Sequence, residues 1–297
     1  MTGSPALRGV YVPVVTPFDD GGAVDTTALE RLATRCLDDG AAGIVALSTT
    51  GESTSLDPAE QADVVAACAR ACAAFGRDLI VGAGTNDTRT TIARHRALAD
   101  VPGVTASLAV VPYYVRPSEA AIVAHFRAVA AESPVPVVLY NVPYRTGRGL
   151  GARALLELAA TDNIIGVKQA VGGIDADSLT LLAERPDGFT VLGGDDPYLF
   201  PLCVMGAAGA IAASAQISTG RFVAMVDAGV AGRVDSGRMQ AEALLPLALS
   251  LFAEPSPAVI KGVLHADGSL PTPDVRMPLA NASAAAVETA LGARPSE

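Results

Sequence analysis

The residues best suited to chemistry start with a lysine inside an apolar, strand-like run, Asn163-Ile164-Ile165-Gly166-Val167-Lys168-Gln169-Ala170. An ammonium is expensive to take out of water, so a lysine inside a barrel or sheet tends to shed its proton and become a nucleophilic amine. Lys168 and Lys261 are the only lysines among 21 basic residues; the rest are arginines. Arginine cannot form an imine with a ketone, so a lysine kept at a buried strand position points to Schiff-base chemistry. A lysine at a strand end, its amine reaching back to water, is the plainer alternative. Strand alternation puts Gly166, Lys168 and Ala170 on one face, where two small neighbours leave room for a ligand beside the amine.

Such an amine must be held by a framework, and the chain supplies one of regular rhythm. Strand-like runs near residues 10–15, 43–47, 79–82, 105–111, 136–140, 164–168, 190–192 and 210–213 alternate with amphipathic helical patterns near 27–37, 58–74, 88–99, 118–131 and 152–160. Asp57, Pro58 and Glu60 form a helix-start signal. Alternation of this kind means parallel strands with crossover helices. Eight units predict an α/β fold, a (β/α)8 TIM barrel over residues 1–217. Residues 218–297, with helical patterns near 238–252 and 257–265 and no convincing strand, form a C-terminal helical extension packed on the barrel. A doubly wound sheet is disfavoured, because Thr16-Pro17-Phe18-Asp19 follows the first strand where a G-x-G-x-x-G fingerprint belongs.

In a barrel the chemistry sits at the C-terminal ends of the strands. There the sequence places Ser48-Thr49-Thr50-Gly51-Glu52, Val111-Pro112-Tyr113-Tyr114, Tyr140-Asn141-Val142-Pro143-Tyr144-Arg145 and Gly194-Asp195-Asp196, all converging with Lys168 on one cavity. Tyr140 is the best-placed phenol for a proton shuttle. Backbone N–H groups of the Thr49-Thr50-Gly51 turn suit one carboxylate and Arg145 suits another, so the site fits an anionic keto acid. Plainer roles exist as well: Thr-Thr-Gly is common turn chemistry, Tyr113 and Tyr114 suit a subunit contact, and Glu52 suits a loop cap. His95 and His125 fall in helices as packing or surface residues, and Lys261 belongs to a structural ion pair.

Half the residues are hydrophobic, ample for a core, and the net charge of −10 argues against nucleic acid and anionic membranes as partners. Without a long apolar run or a basic-then-apolar leader, the expected location is the cytoplasm. Cys36, Cys68, Cys72 and Cys203 sit in helical or apolar contexts and read as small core residues rather than metal ligands.

Val14-Val15-Thr16-Pro17-Phe18, Thr49-Thr50-Gly51-Glu52, Pro112-Tyr113-Tyr114, Tyr140-Asn141-Val142-Pro143 with Arg145-Thr146-Gly147, Gly166-Val167-Lys168 and Gly194-Asp195-Asp196 occur in that order along the chain. Together they resemble the dihydrodipicolinate synthase/N-acetylneuraminate lyase family. The resemblance implies a homotetrameric class I aldolase, a lyase needing neither metal nor cofactor. Lys168 would form an imine with pyruvate, and the derived enamine would attack a small aldehyde. It further implies Tyr140 as general acid and base, relayed through Thr49 and through Tyr114 of a neighbouring subunit. Thr50 would bind the pyruvate carboxylate, while Ile211, Gly194 and Asp195 line the substrate site. Arg145 matches the arginine of the synthase branch, which engages aspartate semialdehyde and leads to 4-hydroxy-tetrahydrodipicolinate. Four departures bear on aldehyde specificity, Ser48 and Tyr144 at the aldehyde pocket itself: Ser48 for glycine, Gln169 for an acid, Tyr144 for a small residue, and Ala212-Ala213-Ser214-Ala215-Gln216 for a more polar segment. They keep open a lyase or dehydratase acting on a 2-keto-3-deoxy sugar acid, and, in another class, a non-catalytic keto-acid binder.

Overall fold

The computed structural model describes residues 7–295. Eight parallel strands close into a barrel: β1 (Gly9–Pro13), β2 (Gly43–Ala46), β3 (Asp78–Gly82), β4 (Val104–Val110), β5 (Val137–Asn141), β6 (Ile164–Gln169), β7 (Thr190–Gly193) and β8 (Gly209–Ile211). Each pairs with the next, and β8 pairs with β1. The chain is a (β/α)8 barrel with a C-terminal helical extension.

Side-chain alternation divides the core in two. Tyr11, Val45, Ile80, Leu108, Val138, Tyr140, Leu192 and Ile211 fill the barrel interior. The intervening Val12, Ile44, Leu79, Ala109, Leu139 and Val191 face the helices and meet Leu29, Phe126, Leu155, Leu181 and Phe222. The helix Thr219–Val230 packs on β8 and β1, and Val234–Ser250, Ala258–Ala266 and Ala284–Gly292 follow it.

Local signals set the boundaries. At the helix Pro58–Phe75 the Asp57 carboxylate accepts from Glu60 N at 2.9 Å and the Glu60 carboxylate from Asp57 N at 2.9 Å, a full capping box worth about 1 kcal/mol. β1 ends at Pro13, two residues short of the expected 10–15, because the Val15 N–H donates instead to the Gln216 side chain at 2.8 Å. β8 likewise stops at Ile211 rather than 213, where the chain turns into Ser214–Gln216.

The four cysteines are buried, and burial pushes their thiols up, that of Cys36 to about 11. His95 and His125 are buried between helices, where Nδ1 of each has a partner at 2.8 Å from the Thr91 carbonyl and 2.9 Å from the Thr88 hydroxyl respectively. Among the described residues no helix is long and apolar enough to cross a membrane, and no group of three His, Cys, Asp or Glu is placed to hold a metal.

Candidate active site

Lys168 lies near the end of β6, in register with Tyr140 of β5 and Leu192 of β7. It is buried, and its Nζ stands 4.4 Å from the centre of the Tyr140 ring. Burial brings its pKa down to about 8, against the opposing pull of the Asp196, Tyr144 and Asp195 charges. Its amine makes no ion pair among the described residues. A lysine kept dry and without an ion pair holds a far larger neutral fraction near physiological pH than an ordinary lysine, which a nucleophile requires and a structural cation does not.

The space for that side chain comes from Gly194, in the loop after β7. A Cβ there would fall 2.7 Å from Lys168 Cε and 2.9 Å from both Lys168 Cγ and the Ala170 Cβ. The lysine chain is flexible enough to swing aside, so Gly194→Ala is expected to fold, but with the amine displaced. A displacement near 1 Å lowers turnover by about 100-fold. A Gly194→Ala enzyme with unchanged kcat would contradict this placement of the side chain.

Tyr140, the last inward residue of β5, is also buried, and burial pushes its phenol up while the Arg145 charge and the Thr49 hydroxyl on the same cavity pull it down. Thr49 arrives from a tight turn after β2. There Leu47 has φ 53°, Gly51 N donates to the Ser48 carbonyl at 3.1 Å, and the Thr16 hydroxyl donates to the Gly51 carbonyl at 2.7 Å. That kink needs Gly82 on the neighbouring strand, since a Cβ there would meet the Leu47 carbonyl oxygen at 2.1 Å. Thr50 is buried next to Thr49.

Arg145 stands on a single helical turn, Pro143–Thr146, begun by proline at its first position. Its guanidinium carbon lies 5.2 Å over the Tyr144 ring, and it makes no ion pair among the described residues. It borders two cavities, one lined by Tyr140 and the other by Gly194, both neighbours of Lys168. One, of about 240 Å3, is lined by Ser48, Thr49, Tyr113, Tyr140 and Arg145. The other, of about 590 Å3, is lined by Tyr144, Arg145, Gly194, Asp195, Asp196 and Tyr198. A free guanidinium at their junction is a ready partner for a carboxylate.

The paired aspartates are tied to the scaffold. Asp195 accepts from Gly172 N at 2.7 Å, and Asp196 from Ser214 N at 2.6 Å. Burial raises both carboxyls above the usual range. Ile211 closes the ring at the end of β8, in register with Tyr11.

Lys168, Tyr140, Thr49, Thr50, Arg145, Gly194, Asp195 and Ile211 therefore gather at one end of the barrel. Tyr114 does not join them within its own chain. It sits in a left-handed conformation at φ 69° with 87% of its surface exposed, next to the exposed Val115. Sequence reasoning passed over Thr16 and Asp196 as separate actors; the one signal for each was its place in the Thr16-Pro17-Phe18 and Asp195-Asp196 runs. Lys261 does not belong to this set; it is fully buried and paired with Glu52 at 2.8 Å.

The model of the dihydrodipicolinate synthetase family matches residues 6–291 of the chain. Curated 4-hydroxy-tetrahydrodipicolinate synthases of Neisseria meningitidis serogroup C and of Moorella thermoacetica are each 37% identical to it, over 273 and 274 residues, covering 92% of both chains in each pair. The crystal structure of the chloride-inhibited dihydrodipicolinate synthase of Acinetobacter baumannii, complexed with pyruvate, superposes with a TM-score of 0.92 at 31% identity, over 96% of this chain and 97% of that one.

Proposed function

The chain belongs to the dihydrodipicolinate synthetase family, and from that membership we propose that it condenses pyruvate with aspartate semialdehyde to 4-hydroxy-tetrahydrodipicolinate through an imine on Lys168. The observation that carries the mechanism is the dry, unpaired Lys168 amine 4.4 Å from the Tyr140 ring.

The neutral Nζ of Lys168 adds to the ketone carbon of pyruvate, and the carbinolamine expels water as its oxygen is protonated. Tyr140 supplies that proton, and its phenolate later takes up protons released along the path. Loss of a methyl proton from the imine gives an enamine, whose carbon attacks the aldehyde. Tyr140 then protonates the new alkoxide, and attack on the imine by the amine of aspartate semialdehyde frees Lys168. Thr49, which lines the cavity together with Tyr140, carries protons between the phenol and the cavity. Tyr114 extends this relay from a neighbouring copy in a cytoplasmic homotetramer, a role that its exposed ring and the exposed Val115 side chain beside it suit. Thr50 holds the pyruvate carboxylate, and Gly194, Asp195 and Ile211 border the substrates.

Arg145 holds the carboxylate of aspartate semialdehyde and distinguishes it from a neutral sugar aldehyde. Because Arg145 is exposed, its loss falls at the low end for truncating a charge pair: Arg145→Ala should lower kcat/KM for aspartate semialdehyde by about 30-fold, near 2 kcal/mol. Lysine at this position restores only part of the loss, since an ammonium lacks the bidentate fork. The assay is kcat/KM for aspartate semialdehyde against a neutral aldehyde in wild type and Arg145→Ala. Equal losses for both, or a wild-type enzyme that ignores aspartate semialdehyde and cleaves a sugar acid, would overturn the substrate assignment.

A further inference from the structure

The buried polar groups outside the reaction centre include one carboxylate both of whose oxygens are held by the far end of the chain. Glu52 ends the turn that carries Thr49, and it has a left-handed backbone at φ 53°. Its Oε1 accepts from Lys261 Nζ at 2.8 Å, and neither side chain has any exposed surface. Its Oε2 accepts from the backbone N–H of Arg276 at 2.8 Å. Both donors belong to the C-terminal extension, Lys261 on the helix Ala258–Ala266 and Arg276 in the segment beyond it.

That segment is itself fastened to the same corner of the barrel. The Arg276 guanidinium donates to the Ser55 carbonyl at 2.8 Å, to the Gly22 carbonyl at 2.9 Å, and to the two Glu60 oxygens at 2.6 and 2.5 Å. Phe18 lies between the cations, with Lys261 Nζ 4.0 Å and Arg276 Cζ 4.4 Å from its ring centre, and its carbonyl accepts from the Thr272 hydroxyl at 2.8 Å. On the barrel side, Glu52 N donates to the Thr49 carbonyl at 3.2 Å, and Thr49 lines the same cavity as Tyr140.

A buried ion pair is a poor device for stability, because apolar residues of similar volume commonly do as well. What one donor on each carboxylate oxygen does give is a fixed orientation of the group and of the turn beneath it. We propose that Glu52, Lys261 and Arg276 are positioning residues for the proton relay, the C-terminal extension holding the Thr49 hydroxyl against Tyr140 through the two oxygens of Glu52. This inference rests on the reading of Thr49 and Tyr140 as the relay.

Lys261→Met alone strands a buried carboxylate and can unfold the chain, so the informative variant replaces both charges, Glu52→Gln with Lys261→Met, in the full-length enzyme. Its thermal midpoint should stay within about 5 °C of wild type. Its kcat should fall by about 10- to 100-fold, the effect of a catalytic group misplaced by a fraction of an ångström to 1 Å, while KM for pyruvate changes by less than about threefold. In a Thr49→Val background the same paired replacement should cost less than about twofold more, because the group it positions is already gone. Arg276→Gln, which keeps the backbone N–H and the buried pair, gives a second route with an expected loss of about threefold in kcat and the same non-additivity. Full kcat in either folded variant, or an undiminished loss on Thr49→Val, overturns the positioning role alone. Thr49→Val with full kcat overturns the relay reading and this inference together.

Discussion

Lys168→Met is expected to lower turnover by about 10⁴-fold or more, the scale on which removal of a covalent nucleophile acts, in a protein at least as stable as wild type. The two halves of that expectation share a cause. Lys168 is buried with no ion pair among the described residues, and burial brings its pKa down to about 8, so the folded state carries a desolvation penalty that methionine removes. Methionine keeps the unbranched chain that Gly194 accommodates and discards the amine. Steady-state kcat and a thermal melt decide it. A variant that unfolds, or one that keeps more than about a hundredth of the rate, would contradict a catalytic lysine held at the expense of stability.

Tyr140→Phe should lower kcat by roughly 10²- to 10⁴-fold, the range for deleting a positioned acid and base, with KM for pyruvate little changed. The ring remains to fill the barrel end beside Lys168, so packing is preserved while the phenol hydroxyl is lost. Imine formation should slow without changing its site, since the nucleophile is untouched. A near-normal kcat would move the proton shuttle to another group.

The comparison of Tyr140 with Tyr11 marks how far the sequence could be read. Both are phenols facing the barrel interior. Tyr11, though, is bonded to the Asp78 carboxylate at 2.8 Å, where β3 begins, whereas Tyr140 ends its strand beside an amine and a hydroxyl. Strand ends are legible, so Tyr140 could be chosen. Period-2 alternation likewise set Lys168 inward, and the turn residues after β2, β5 and β7 gathered around it, because these are local properties of short segments.

What depended on distant partners was not legible in the same way. β1 and β8 end early where the Val15 N–H, just past β1, donates to the side chain of Gln216, just past β8 and far away in sequence. A structural ion pair was expected of Lys261, but its partner lies 209 residues away at Glu52, and no local pattern carries that. Arg276 gave no signal at all, although it fastens the same turn to the C-terminal extension. Tyr114 is left-handed and exposed, so the relay role proposed for it needs a neighbouring copy, which no local pattern in one chain carries.

Treating the enzyme with borohydride in the presence of pyruvate, at several pH values, and mapping the adduct by peptide mass spectrometry tests the central claim most directly. With a pKa of about 8, roughly a tenth of the Lys168 amine is neutral at pH 7, against about one part in three thousand for an unperturbed lysine. The neutral amine is the reactive form, so trapping should accelerate by about tenfold between pH 6 and pH 7 and level off above pH 8. The account predicts a reduced pyruvyl adduct on Lys168 with that pH profile, and none on Lys261, which is fully buried and ion-paired. An adduct on Lys261, no adduct on either lysine, or a trapping rate that still climbs steeply above pH 9 would contradict it.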